Sequence, residues 1–189
     1  MDNWISKRIE HRLQLLKDFS ATASSIAIAA DRLSDCLAQG HRIYAFGNGG
    51  SASQAAHFAG ELVNRFYHDR PGLPALALNT DGAGLTAIAN DSDFRRVFSR
   101  QVEALGAPGD TAVGITTSGK SANVLEAMKT ARERHMFTLA LCGADTDDLA
   151  AAGTEMILRV PDSDTPAVQE IHLLILHLLA ERIESRILS

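Results

Sequence analysis

Cysteine is scarce: the 189 residues hold two, Cys36 and Cys142. They have neither the paired spacing of a metal knuckle nor the density of a disulfide scaffold, so both are expected as reduced, buried thiols. A basic excess is missing as well. With 18 Lys and Arg against 23 Asp and Glu, the net charge is −5, which disfavours a broad nucleic-acid surface. Long apolar runs are also lacking. The most apolar stretch, Ile171 to Ala180, is interrupted by His172 and His177 and is too short to span a bilayer, so no membrane partner is expected. The opening residues Met1 to Arg8 carry no apolar core or small-residue cleavage site of an export signal, which makes the cytoplasm the expected compartment. Internal repeats, low-complexity tracts and linkers are absent from the sequence.

What is present suits one globular domain over 1–189, since 46% hydrophobic and 22% charged residues allow a sizeable core. Ile5, Ile9, Leu13, Leu16 and Phe19 recur at helical spacing, and a second helical pattern runs from about Ala21 to Gln39 and stops at Gly40. Residues 1–40 therefore read as a helical hairpin. Short apolar runs then alternate with helical segments: Ile43–Phe46, Ala75–Leu78, Ala112–Ile115, Thr138–Leu141 and Met156–Val160. Runs this short, bounded by Gly, Pro, Asn or Asp, predict strands buried on both faces and joined by right-handed crossovers. The expected fold class is α/β: a three-layer, doubly wound domain with a five-stranded parallel sheet over 41–189. A long helix from about Thr165 to Leu188 closes it. That helix is apolar nearly all round between Ile171 and Leu179, so it is either sandwiched inside the domain or buried against another chain.

Ligands of parallel α/β sheets sit beyond the carboxyl ends of the strands. Two strand-to-helix junctions have suitable chemistry. Phe46-Gly47-Asn48-Gly49-Gly50-Ser51-Ala52-Ser53 lets the backbone turn sharply and approach a ligand, and the next helix offers free N–H groups. Ile115-Thr116-Thr117-Ser118-Gly119-Lys120-Ser121 adds four hydroxyls, and together the loops suit a phosphate dianion. Each loop alone is also compatible with a plain strand-to-helix turn; the pairing at equivalent strand ends is what points to a ligand. Gly114 to Ser121 formally reads G-x-x-x-x-G-K-S, but no strand-ending Asp follows to hold magnesium, and the first loop lacks the G-x-G-x-x-G spacing. Nucleotide hydrolysis and nicotinamide chemistry are set aside.

His57 and Glu61 stand four residues apart on the helix after the first loop, a spacing at which both side chains share one face and can chelate a metal. The last helix carries Gln169, Glu170, His172 and His177. A histidine on so apolar a helix is also compatible with a hydrogen-bonded core residue. Gln169 and His177 are eight residues apart, about 12 Å of rise, so they share a metal only by leaning together or where two copies meet. That places the expected metal close to a subunit contact.

These residues occur in an order that resembles one family. Gly47-Asn48-Gly49-Gly50-Ser51, His57-Phe58-Ala59-Gly60-Glu61, Leu85 to Asp91, Phe98 to Gly106, Thr117 to Val124 and Gln169-Glu170-Ile171-His172 with His177 are similar to the sedoheptulose-7-phosphate isomerases (phosphoheptose isomerases) of the sugar-isomerase, or SIS, superfamily. The resemblance covers nearly the whole chain. It implies a homotetramer that converts sedoheptulose 7-phosphate to D-glycero-D-manno-heptose 7-phosphate, a precursor of lipopolysaccharide heptose. It also implies one zinc per subunit on His57, Glu61, Gln169 and His177. The substrate would meet Asn48, Gly49, Gly50, Ser51, Glu61, Asn90, Asp91, Thr116, Thr117, Ser118, Ser121 and Gln169.

Moving a proton between C1 and C2 through an enediol needs an acid and a base, for which Glu61 and His177 are the candidates, in either order. The chain departs from the family pattern at Thr116, Lys120, Ala167, Gln54 and Ala56, and in the turn Ala144 to Asp148. A relative of the same superfamily binds a bacterial replication initiator without catalysis. That alternative is disfavoured because the relative lacks counterparts of Glu61 and His177.

Overall fold

The computed structural model describes residues 3–189; Met1 and Asp2, which open the expected hairpin segment, lie outside them. Five strands form the sheet: β1 (Ile43–Gly47), β2 (Ala75–Ala77), β3 (Thr111–Thr116), β4 (Phe137–Cys142) and β5 (Met156–Arg159). All pairings are parallel, in the order β2-β1-β3-β4-β5, with Ile43 level with both Ala75 and Thr111. Every residue of β1 and β3 is buried, as is all but the first of β4, which is why their sequences read as continuous apolar runs. The edge strands β2 and β5 are shorter than their apolar runs, and both keep partly exposed residues.

Helices cover both faces. One layer holds α2 (Ala23–Ala38), α3 (Gly50–Val63) and α8 (Thr165–Leu188), whose apolar sides enclose Ile43, Val113, Ile115, Leu139 and Leu141. The other holds α5 (Ser99–Leu105) and α6 (Ala122–Glu133), packed on Tyr44, Phe46, Ala112 and Ala140. Between these, α4 (Gly82–Asp91) and α7 (Asp147–Ala151) are short; α4 buries no residue. Among the described residues no helix is long and apolar enough to cross a membrane. Cys36 and Cys142 are free and buried.

The N-terminal helices α1 (Trp4–Phe19) and α2 correct the hairpin expectation in one respect. They do not fold back on each other. A 3₁₀ turn at Ser20–Thr22 joins them with right-handed helical dihedrals at Phe19, Ser20 and Ala23, and the Ser20 and Thr22 hydroxyls bond back to Lys17 and Phe19 carbonyls. The pair instead follows α8 in sequence order. Arg8 reaches Asp164, Arg12 reaches Glu170, Arg182 reaches Asp31, and Arg186 reaches Asp35. These exposed ion pairs are screened by water and contribute little, whereas burying Leu15, Phe19, Ile26 or Leu33 contributes about 1.5–3 kcal/mol each, so the apolar seam fixes the docking.

Two further points bear on the oligomer question. α8 is covered by its own chain: Ile171, His172, Ile175, Leu176, Leu179 and Ile183 are buried against α2, α3 and the sheet. The uncovered apolar face lies instead on α1, where Trp4, Ile5, Ile9 and Leu13 are each more than half exposed. Four of the five apolar positions that announced this helix therefore face away from the chain's own core.

His172 also departs from the expected hydrogen-bonded core residue. It is fully buried, yet neither ring nitrogen makes a well-aligned hydrogen bond, and the Cys142 carbonyl interacts with it only weakly. Burial pulls its pKa down to about 4, the Cys142 carbonyl opposing the shift. A folded value below the unfolded 6.5 means the neutral ring's contribution is whole above pH 6.5 and is lost as pH falls toward 4. Between those limits the protein should lose about 3 kcal/mol that a His172→Leu variant retains. Denaturant titrations across that pH range check this; equal pH slopes in both proteins would contradict it.

Candidate active site

With strand order β2-β1-β3-β4-β5, successive crossovers leave β1 and β3 in opposite directions, and their carboxyl ends flank a natural crevice. Both junctions singled out above open there. The loop after β1 leads into α3, and the loop after β3 leads into α6, whose N-cap is Ser121. The two are tied by a reciprocal amide pair: Asn48 Nδ2 donates to Asn123 Oδ1 at 2.9 Å, and Asn123 Nδ2 donates to Asn48 Oδ1 at 2.8 Å. Asn123 is buried and was not singled out from the sequence, where an asparagine at a helix start looks like ordinary capping.

In the second loop the Thr116 and Ser121 hydroxyls lie 3.0 Å apart, with Ser118 Oγ 3.5 Å from Thr116 Oγ1. Gly119 takes a φ of +72°, and a Cβ there would collide with the Asp145 carbonyl. Lys120, exposed, pairs with Asp145 at 2.7 Å, and that hydrogen bond raises the lysine pKa and lowers the carboxylate's. Gly114 sits inside β3, so the formal G-x-x-x-x-G-K-S run does not form a single phosphate loop. The result is a neutral cradle of hydroxyls and helix N-terminal amides.

Beside it, α3 and α8 run parallel. His57 and Glu61 share a face of α3, with His57 Nε2 3.3 Å from Glu61 Oε1. His177 comes from α8 to place its Nε2 3.0 Å from that of His57. One ligand atom from each of the three lies within 4.8 Å of the others. An ion held tetrahedrally at about 2.0–2.1 Å from its ligands sets them about 3.3 Å apart, so the spacing and donor types fit a zinc-like ion. The Phe66 ring packs on His177, centroids 5.7 Å apart.

The other expected residues lie further along. Gln169 is two turns before His177, and its amide rests against Gly50, at the start of α3 and two turns before His57; a Cβ on Gly50 would stand 2.5 Å from its Nε2. Each two-turn step is about 10–12 Å of rise, so within one chain the Gln169 amide sits at the loop end and the three-residue cluster one level below. Gln54, also not anticipated, braces this end by donating to the Gln169 carbonyl at 2.6 Å. Asn90 and Asp91 end α4, exposed, and bond to each other rather than to either loop.

The model of the SIS domain family matches residues 9–143. The chain is 52% identical over 163 residues to a phosphoheptose isomerase of Desulfovibrio desulfuricans, covering 86% of this chain and 77% of that one. It is 45% identical over 185 residues to a phosphoheptose isomerase of Trichlorobacter lovleyi, covering 97% and 94%. The solved structure of the phosphoheptose isomerase from Neisseria gonorrhoeae superposes with a TM-score of 0.90 at 41% identity, covering 96% and 97%.

Two glycines of the loops should respond differently to a methyl group. Gly119→Ala adds a Cβ to left-handed backbone against a carbonyl that cannot swing away, costing about 1–2 kcal/mol or more and lowering Tm by several degrees. Gly50→Ala meets only the end of the Gln169 side chain, so it should displace that amide with little change in Tm. Thermal melts of the two variants check the contrast, and an equal loss in both would contradict it.

Proposed function

The chain belongs to the phosphoheptose isomerase family of SIS-domain proteins, and from that footing we propose that it converts sedoheptulose 7-phosphate to D-glycero-D-manno-heptose 7-phosphate, for heptose and lipopolysaccharide precursor synthesis. The observation that carries the reading is the convergence of His57, Glu61 and His177 beside a hydroxyl and amide cradle at one strand-end crevice. A non-catalytic protein that binds a replication initiator would have no use for that cluster.

The phosphate is held by Ser118, Ser121, Thr116 and Thr117 with the N-terminal amides of α6. Its charge is matched by N–H dipoles and hydroxyl donors. Asn48, Gly49, Gly50, Ser51 and Gln169 line the sugar between the two loops, and Asn90 and Asp91 are assigned to it by resemblance. Glu61 and His177 move the proton between C1 and C2 through the enediol, and hydroxyl protons pass between O1 and O2 along the same groups. His57, Glu61 and His177 would hold a zinc ion, which would supply a Lewis acid for the sugar oxygens; Gln169, two turns away along α8, would join them only from a second copy.

The same reading makes the protein a cytoplasmic homotetramer with active sites near subunit contacts. Its support is the bare apolar face of α1, which a second copy would cover.

Glu61→Gln should lower turnover about 10²- to 10⁴-fold while a phosphate-bearing ligand still binds. Metal removal should silence the wild type, and zinc should restore it. Steady-state assays on a panel of ketose phosphates, run with metal analysis, check both. Near wild-type turnover in Glu61→Gln, or full activity in verified metal-free protein, would contradict the mechanism. Ile9→Glu with Leu13→Glu should split the assembly, read by light scattering; a wild-type protein that runs as a monomer would remove the tetramer.

A further inference from the structure

A charged pair lies buried behind the cluster. Arg70 and Glu184 are 0% and 1% exposed at their side chains, with Arg70 Nε 3.2 Å from Glu184 Oε1. Neither side chain takes part in the proton transfer proposed above. Taking both charges out of water is expensive, and apolar side chains would commonly fill such a space without loss of stability. The geometry around the pair indicates what it supplies instead.

Glu184 gathers three successive backbone donors. Phe66 N reaches its Oε1 at 2.9 Å, and Tyr67 N and His68 N reach its Oε2 at 2.8 and 3.0 Å. Burial alone would raise its pKa; those three N–H groups, with the Arg70 charge, bring it below the usual carboxylate value. Arg70 turns to the end of α3. Its NH1 donates to the Leu62 carbonyl at 2.9 Å and to Pro71 at 3.1 Å, and its NH2 donates to the Glu61 carbonyl at 2.9 Å. Glu61 and Leu62 offer two of the carbonyls that a helix C-terminus leaves without partners, so Arg70 acts as the cap of α3.

The consequence is a fixed height between two helices. Glu61 and His57 ride on α3, which Arg70 grips at its last turn. His177 and Glu184 ride on α8, seven residues apart, about 10 Å of rise. The strap held by Glu184 carries Phe66, whose ring lies against His177, with the Tyr67 ring tilted against Phe66 at 4.3 Å between centroids. Sliding α3 along α8 by one residue would separate the imidazoles by about 1.5 Å and undo the cluster.

We propose that Arg70 and Glu184 are positioning residues: a buried clamp that sets α3 against α8 and seats Phe66 on His177, so that His57, Glu61 and His177 converge before any ligand arrives. The clamp rests on the active-site reading above. Groups that orient metal ligands typically change metal affinity 10- to 100-fold when removed.

The test uses the full-length protein. Removing one charge strands the other, so the main variant is Arg70→Met with Glu184→Leu, which removes both. Zinc affinity is measured by competition with a chromophoric chelator, amide exchange at residues 66–68 by mass spectrometry, and kcat and KM by assay. The expected result is a folded variant with exchange at least tenfold faster at 66–68, zinc binding 10- to 100-fold weaker, and a lower kcat at similar KM. Unchanged zinc affinity in the folded variant overturns the clamp, whether or not the amides open. Should the double variant fail to fold, Arg70→Lys decides on the same readouts, since it keeps the charge and loses the fork onto α3. If wild-type zinc affinity proves indifferent to His57→Ala, the metal reading falls instead. The clamp is then judged by the His177 ring resonance in NMR spectra, which should shift and broaden in the variants and would overturn the proposal by staying put.

Discussion

Parallel packing of α3 against α8 is the constraint on which the rest depends. Each helix contributes an incomplete set: an imidazole and a carboxylate one turn apart on α3, an imidazole on α8. Neither set closes alone. Held side by side, with Phe58 and Leu62 of one and Ile171, Ile175 and Leu176 of the other inside the same core, they bring two imidazole nitrogens to 3.0 Å. The apolar seam supplies the attraction, because burying each such side chain stabilises by about 1.5–3 kcal/mol. That attraction is itself non-directional. Directional contacts set the height: Arg70 on the carbonyls of α3, Glu184 on the strap, and Gln54 on the Gln169 carbonyl.

The crevice joins two kinds of chemistry. At the strand ends, hydroxyls of Thr116, Ser118 and Ser121 and the start of α6 form a cradle whose donors suit an anion, the phosphate of the proposed substrate. One level down the helices, the His–Glu–His cluster holds the groups suited to proton transfer. Asn48 and Asn123 bridge the loops, so the spacing of the two loops is set by two amide hydrogen bonds rather than by flexible turns. Such bracing is what proton transfer needs, because a base displaced by an ångström loses much of its effect.

The sheet was legible in the sequence because strands covered on both faces have no polar alternation to obscure them; Ile43–Phe46 and Thr138–Leu141 are read as strands for that reason. The edges were less so, since β2 and β5 are half-covered and end earlier than their apolar runs. The course of α1 into α2 was missed. Two successive helical patterns read as a hairpin, yet the Ser20 and Thr22 hydroxyls bond to the preceding turn and keep the chain helical. In the site, the His57–Glu61 spacing was visible locally, and the link to His177 came through resemblance. Nothing local connects residues more than a hundred positions apart. Asn123, Arg70 and Glu184 were not singled out, and Gln54 only as a departure from the family pattern, because a polar residue destined for a buried bond has the same letter as one bound for solvent.

The central claim is that three side chains on α3 and α8 form one ion site at the rim of the phosphate crevice. An anomalous-difference map at the zinc edge, from crystals of the zinc-loaded protein soaked with a ketose phosphate, tests it most directly. The expected result is one peak per subunit within bonding distance of His57, Glu61 and His177, with the phosphate at Ser118 and Ser121. A peak elsewhere, or zinc retained only at surface residues while the sugar phosphate binds, would contradict the account.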